Sequence, residues 1–394
     1  MKELTHPLMF NNITKEDCKK VADFLTQDPM PKLTHGEQVK AFEKEWGEWL
    51  GTKYNVMVNS GASANELSLL MLRHLFPSGG EVILPPLCWV SDVAAVTQNG
   101  FAPVFCDIKK ENLALDINEI KKKTTNRTIA ILLVHILGYN GLSDELLEFC
   151  KERKILLIED CCESHGATFK GQKVGSFGEI SNFSFYYAHH MTSIEGGMIS
   201  MNREVYYHLA RSFRSHGMLR EVSNEGVREQ ITKLNPELNP DFIFLEAAHN
   251  HRPTEINAVF ARNQLPRLDA NIKLRRENLD IFLNTLDDTK YFNKFDREGN
   301  SNYAFTLLLA QPDMEKRDKV EKVMRENGIE FRRGMSGGGN QLRQPYITRY
   351  KNMSEFYKKF PVTDYVHHYG WYIGNYPELE KSKITELTAL LNGI

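Results

Sequence analysis

The sequence predicts an α/β protein built on a parallel or mixed β-sheet. Three observations carry this. Short apolar runs alternate with helical patterns over the first two-thirds of the chain. Those runs are apolar on both faces, as strands covered by helices on both sides must be. Polar residues with chemical capability cluster directly after the runs, which is where such sheets bind ligands.

In chain order, Val56–Asn59 reads as a strand and Ala64–Leu75 as a helix. Glu81–Leu84 is a strand, Val90–Gln98 a helix and Pro103–Asp107 a strand. A helix near Asp116–Lys123 leads to the strongly apolar strand Thr128–His135. The helix Glu145–Glu152 and the strand Ile155–Glu159 follow, then strands at Glu179–Tyr186 and Gly197–Met201. Asn263–Leu286 reads as one long charged helix able to link two domains. The strand Ala304–Leu309 and the amphipathic helix Arg317–Asn327 indicate a smaller α+β unit behind it. The expected division is a large domain over 1–262 and a linker helix with a small domain over 263–394, the N-terminal segment packing on the latter.

Composition narrows the function. Of 394 residues, 49 are basic and 51 acidic, a net charge of −2, so bulk electrostatics does not suit a nucleic-acid partner. An apolar content of 41% excludes a mostly disordered chain. The most apolar stretch, Ile129–Gly138, is interrupted by His135 and is too short to span a membrane. The first residues, MKELTHPLMF, lack the apolar core of a secretory signal, so a cytoplasmic location is expected. The cysteines are Cys18, Cys88, Cys106, Cys150, Cys161 and Cys162. None forms C-x-x-C, which fits a reducing compartment and no metal centre, and the pair Cys161-Cys162 reads as packing at a strand end.

Four segments could carry chemistry. Asn59-Ser-Gly-Ala-Ser-Ala64 joins a strand to a helix, and its small residues and free N–H groups suit a phosphate. A plain turn with Ser63 as helix cap explains it equally simply. Ile155-Leu-Leu-Ile-Glu-Asp160 runs an apolar strand into two carboxylates. Asp160 there suits a protonated ring nitrogen, a helix cap or a metal. Ser184 through Met198 holds His189 and His190 ahead of a Glu-Gly-Gly turn. A histidine there can be a general base or part of a structural turn or metal site. Trp89 can stack on a planar ring, although an isolated tryptophan is more often core.

Together and in order, these segments resemble the DegT/DnrJ/EryC/StrS sugar aminotransferases, a family of fold-type-I (aspartate aminotransferase-like) pyridoxal phosphate enzymes. Further matching segments are Glu163-Ser-His-Gly-Ala167, Val174–Gly178, Arg214-Ser-His-Gly217 and His249–Asn257. The resemblance spans nearly the whole chain. One departure matters most. The family's lysine, five residues after the strand serine, is here His189. Lysine holds the cofactor as a Schiff base, and histidine cannot. The chain thus resembles the histidine-for-lysine dehydratase branch. A related branch that binds an iron–sulfur cluster through C-terminal cysteines is set aside, since no cysteine lies beyond Cys162.

This resemblance implies non-covalent pyridoxamine or pyridoxal phosphate and L-glutamate as amine donor. It implies loss of the C3 hydroxyl from a nucleotide-linked 4-keto-6-deoxy sugar with release of ammonia. GDP is the expected carrier, hexose and heptose both fit, and the product would serve 3,6-dideoxysugars of lipopolysaccharide or capsule. An aminotransferase and a silent sugar-binding homologue are the alternatives. The resemblance implies Gly61, Ala62 and Ser184 for the cofactor phosphate, joined by Asn250 of a second subunit in a homodimer. It implies Trp89 stacked on the ring, Asp160 at its nitrogen and Glu163 near its hydroxyl or amine. His189 is the expected base and His216 an assisting histidine. Arg252, Arg332 and Arg333 are expected at the substrate's phosphates or sugar, the last two beside the glycine-rich stretch that runs to Arg343.

Overall fold

The computed structural model describes residues 5–349 and 354–394. The larger sheet contains β1 (Tyr54–Val58), β2 (Glu81–Leu84), β3 (Ala102–Phe105), β4 (Thr128–Val134) and β5 (Leu156–Asp160). A small hairpin, β6 (Thr168–Phe169) with β7 (Gln172–Lys173), intervenes before β8 (Ile180–Ser184) and β9 (Gly197–Met201). The spatial order is β1-β9-β8-β5-β4-β2-β3. Only β9 runs against its neighbours, so the sheet is mixed. Its central strands are buried on both faces, as their apolar runs require.

A second sheet is antiparallel, with β10 (Ala304–Leu308), β11 (Phe331–Arg333) and β12 (Gly370–Gly374) in the order β10-β12-β11. The N-terminal segment lies along its edge. Thr5 N donates to Gly328 O at 3.0 Å, Glu330 N to His6 O at 2.9 Å and Leu8 N to Glu330 Oε2 at 3.0 Å. The His6 ring meets Gly374 O at 2.8 Å. These bonds carry Leu8 and Met9 from the far end of the sequence to the mouth of the principal cavity.

The helix expected at Arg317–Asn327 runs Met314–Glu326, capped by Asp313, and two further elements differ from expectation. The helix after β1 spans Gly61–Leu75, three residues earlier than its apolar periodicity suggests, because Ser60 caps it. Asn263–Leu286 is not one helix. Glu255–Gln264 ends, Leu265–Arg267 forms a 3₁₀ turn, and Leu268–Thr285 continues. Pro266 lacks the N–H a continuous helix would use.

The helix Glu37–Leu50 has Gly36 at its N-cap and no local side-chain cap. Glu255, buried, supplies one from more than 200 positions away. Its carboxylate accepts from Gly36 N at 2.7 Å, Gln38 N at 2.8 Å and Val39 N at 3.0 Å. Glu255→Ala orphans three N–H groups at once. A loss of about 2–4 kcal/mol in denaturant-unfolding stability is expected.

Candidate active site

The carboxyl ends of β1, β4, β5 and β8 point the same way, and the loops leaving them line a cavity of about 470 Å³. Ser60, Gly61 and Ala62 follow β1, His135 follows β4, Cys162 and Glu163 follow β5, and Tyr186 and His189 follow β8. Gly197 pairs with Val58 on one side and Ser184 on the other, so it sits beneath the β1 loop. A Cβ at Gly197 would lie 2.3 Å from Ser60 O, and one at Gly61 would lie 2.5 Å from Ser184 Cβ. Only glycines allow this approach. It sets the Ser184 hydroxyl beside the first turn of the helix Gly61–Leu75. In that turn Ser63 N donates to Ser60 Oγ at 3.1 Å and Ala64 N to Ser60 O at 3.1 Å. Gly61 and Ala62, ahead of them, have no intrahelical acceptor. Ser60 is thus the N-cap, and Ser63 turns its hydroxyl to Asn59 Oδ1 at 2.7 Å.

Carboxyl groups dominate the floor. Asp160 Oδ1 accepts from Cys162 N at 2.8 Å, and Oδ2 from Asn65 Nδ2 at 2.7 Å. The same Nδ2 donates to Asp92 Oδ1 at 2.8 Å. Glu163 accepts from Leu137 N and from the Ser336 hydroxyl, each at 3.0 Å. Burial raises the Glu163 carboxyl to about 7 despite these donors. His189 is 9% exposed, with Nδ1 unpaired, and packs against Tyr186 and Tyr303. Burial lowers it to about 4 although Asp160 pulls the other way. The imidazole is therefore neutral at physiological pH, the state a base requires. Trp89 stands on the rim, 56% exposed, rather than in the core.

A model of the DegT/DnrJ/EryC1/StrS aminotransferase family matches residues 11–392. The chain belongs to that family. GDP-4-keto-6-deoxy-D-mannose 3-dehydratase of Yersinia pseudotuberculosis is 31% identical over 351 residues, 87% of this chain and 88% of that one. A crystal structure of a GDP-4-keto-6-deoxymannose-3-dehydratase, a His→Asn variant with bound GDP-perosamine, matches with a TM-score of 0.86 at 28% identity. It covers 98% of this chain and 100% of its own. A second structure of such an enzyme, with a trapped PLP–glutamate geminal diamine, matches at a TM-score of 0.85 and 29% identity, covering 98% and 100%. The architecture is the fold-type-I, aminotransferase-like fold of pyridoxal phosphate enzymes.

The residues of this family member fit that cofactor. The N–H groups of Gly61 and Ala62 and the Ser184 hydroxyl border the cavity at a positive helix end, donors of the kind a phosphate would take. Asp160 faces the cavity with lone pairs to spare for a ring nitrogen, and the exposed Trp89 offers a stacking face.

The cavity also gathers Glu163 and Arg332. Arg333 is not there. Adjacent residues on β11 face opposite ways, and Arg333 pairs with Glu321, which also accepts from Trp371 Nε1 at 2.9 Å. Arg343 of the same stretch is held by Asp364. His216, Asn250 and Arg252 do not line the cavity; they lie in two crossing loops where Ser215 pairs with Asn250 and His216 N donates to His249 O at 2.9 Å, and His251 between the last two accepts from Asn59 N at 3.0 Å. Arg252 makes no ion pair among the described residues. Of the cysteine pair, Cys161 is core packing, but Cys162 lines the cavity.

Sequence reasoning missed Asn65 and Asp92, which read as ordinary helix polar residues, and Ser336, Tyr303 and Tyr372, which come from the far end of the chain. His135, Glu159 and Cys161 also lie close enough together to suggest a metal. Their bonds give them another task. Gly141 N donates to His135 Nδ1 at 3.0 Å, which leaves the ring proton on Nε2, 3.2 Å from Glu159 Oε2. Glu159 further accepts from Gly175, Phe177 and Gly178 N–H groups and so pins the loop before β8.

A pH test follows from His189. Folded, it titrates near 4; unfolded, near 6.5, so between those values the folded chain binds fewer protons and loses stability as pH falls. His189→Asn removes that loss. Relative to wild type, the variant should gain up to about 3 kcal/mol between pH 7 and pH 4, read by denaturant unfolding of the cofactor-free protein.

Proposed function

We propose that this protein is a pyridoxamine phosphate-dependent 3-dehydratase of a GDP-linked 4-keto-6-deoxy sugar, recharged by L-glutamate. One observation carries the reading. At the end of β8, where a covalent family member presents lysine, a neutral, buried histidine reaches the same cavity as Asp160.

When bound, pyridoxamine phosphate supplies an amine for the sugar's 4-keto carbon and a ring that takes up an electron pair. Gly61, Ala62 and Ser184 hold its phosphate. Asp160, fixed by Cys162 N–H and Asn65, keeps the ring nitrogen protonated. His189 would take the proton from the carbon bearing the amine, and the C3 hydroxyl would depart as water once protonated. Because an imidazole cannot form a Schiff base, nothing on the chain recaptures the aldehyde left after the amine departs. Arg332, paired across strands with Tyr372 at the cavity wall, is the cation for the substrate's phosphates. Arg333 has no such part, being committed to Glu321.

His216, Asn250 and Arg252 we assign to the cavity of a second copy. They are clustered, partly exposed and outside the lining of their own cavity, while Trp89 and Tyr186 leave exposed aromatic surface at its edge. The free cysteines fit a cytoplasmic setting, and among the described residues no helix is long and apolar enough to cross a membrane.

Incubation with L-glutamate, pyridoxal phosphate and a GDP-4-keto-6-deoxy sugar should give a product lacking one oxygen, with ammonia and 2-oxoglutarate released. Mass spectrometry decides it. A product with the keto oxygen replaced by an amine makes the protein an aminotransferase instead. The shared site has its own test. His189→Asn and His216→Asn proteins, each inactive, should recover activity on mixing, toward about a quarter of wild type if subunits exchange freely. No recovery in subunit-exchanged dimers would place both histidines in one cavity.

A further inference from the structure

The mechanism gives the buried acid Asp92 no part. Asp92 lies in the helix Val90–Gln98, is fully buried and borders the cavity. Its Oδ1 and Asp160 Oδ2 accept from the same Asn65 amide nitrogen, at 2.8 and 2.7 Å. Its Oδ2 has no partner at all. The Asp92 carboxyl also lies within hydrogen-bond reach of Asp160 itself.

The groups facing Asp92 are Asp160, Glu163, Cys88, Cys162 and Tyr346. None is a cation. Two buried carboxylates bridged by one amide cannot both remain ionised without a counter-charge. Asp160 has the donors of an anion, a backbone N–H and an amide. Asp92 has its share of the amide and the Trp89 backbone N–H nearby, and its Oδ2 makes no hydrogen bond. A proton on Asp92 resolves both difficulties. The orphaned acceptor becomes a donor, and the Asp160 carboxylate is the acceptor in reach. Burial and the neighbouring Asp160 push the Asp92 carboxyl well above its ordinary range, in the same direction.

We propose that Asp92 is a positioning residue for the cofactor ring: a neutral acid that, with Asn65, fixes the Asp160 carboxylate and leaves the pair a single negative charge. The consequence is chemical. A donor from Asp92 would hold the Asp160 carboxylate in one orientation, its free lone pairs turned to the ring nitrogen. One negative charge then meets one ring cation. The role in cofactor binding rests on the reading under Proposed function; the protonation of Asp92 does not.

Two measurements separate these. In cofactor-free protein, Asp92→Asn mimics the protonated acid. An acid held protonated in the fold costs the wild type stability as pH rises above about 4, the unfolded value. The melting temperature of Asp92→Asn relative to wild type should therefore climb steadily from pH 4 to pH 8. A flat difference overturns the neutral acid whether or not any cofactor binds. Pyridoxamine phosphate binding, followed by quenching of tryptophan fluorescence, tests the positioning. Asp92→Asn should bind within about threefold of wild type, and Asp92→Ala and Asn65→Ala about tenfold or more weaker. Wild-type affinity in both alanine variants, or equal loss in Asp92→Asn and Asp92→Ala, overturns the role. Failure of the wild type itself to bind pyridoxamine phosphate strikes the proposed function and leaves the first measurement standing.

Discussion

Parallel strands place their carboxyl ends on one side of the sheet, and the chemistry of this chain depends on that constraint. β1, β4, β5 and β8 leave the sheet in one direction, so a helix N-terminus, two strand-end acids and a histidine meet although they are spread over 130 residues of sequence. The antiparallel β9 is what tightens the arrangement. It sits between β1 and β8 and enters with Gly197, so the loop after β1 lies against the end of β8 with no side chain between them. A side chain at that position would push the Gly61 turn away from Ser184. The geometry of these donors is thus set by a residue that would touch no ligand.

The electrostatics of the floor follows from burial rather than from ion pairing. Glu163 is raised, His189 is lowered, and each moves toward its neutral form because the surroundings solvate charge poorly. Asp160 keeps a backbone N–H and an amide as donors to its carboxylate. Burial thus favours the neutral forms of Asp92, Glu163 and His189 around Asp160, while Arg332 stands as a cation at the cavity wall. The same burial makes the histidine a weak base in absolute terms. It suits a proton made acidic by an electron-withdrawing ring, not one from an ordinary carbon acid.

Much of this was legible in the sequence, for physical reasons. A buried parallel strand must be apolar throughout, so β4 and β5 announce themselves, and the residues following them are exposed to the cavity by the same rule. Asp160, Ser184, His189 and the Gly61 turn lie within a few residues of such strands. What was not legible depends on distance or on alternation. Asn65 and Asp92 sit inside helices, where a single polar residue carries no sign of its partner. Leu8, Tyr303 and Tyr372 come to the cavity through packing between the sheets and the N-terminal segment. Arg332 and Arg333 look alike as text, and only the pleat of β11 tells which one meets the cavity. Pro266 was visible in the supposed linker helix, yet helix periodicity on either side of it masked the break.

Replacing a covalent anchor with a base changes what the rest of the site must do. A lysine linkage holds a cofactor even when the remaining contacts are poor. On the function proposed above, with His189 in that place, retention would rest on the donors of Gly61, Ala62 and Ser184, the Trp89 face and Asp160, each of which must be kept in place without the cofactor's help. The helix cap at Ser60, Gly197 beneath it and the Asn65 bridge act on groups that would touch the cofactor rather than touching it themselves. Such preorganisation lowers the ordering cost that a non-covalent ligand otherwise meets on binding. The supporting residues are therefore where a histidine-for-lysine site should be most sensitive to substitution, more so than a site whose cofactor is tethered.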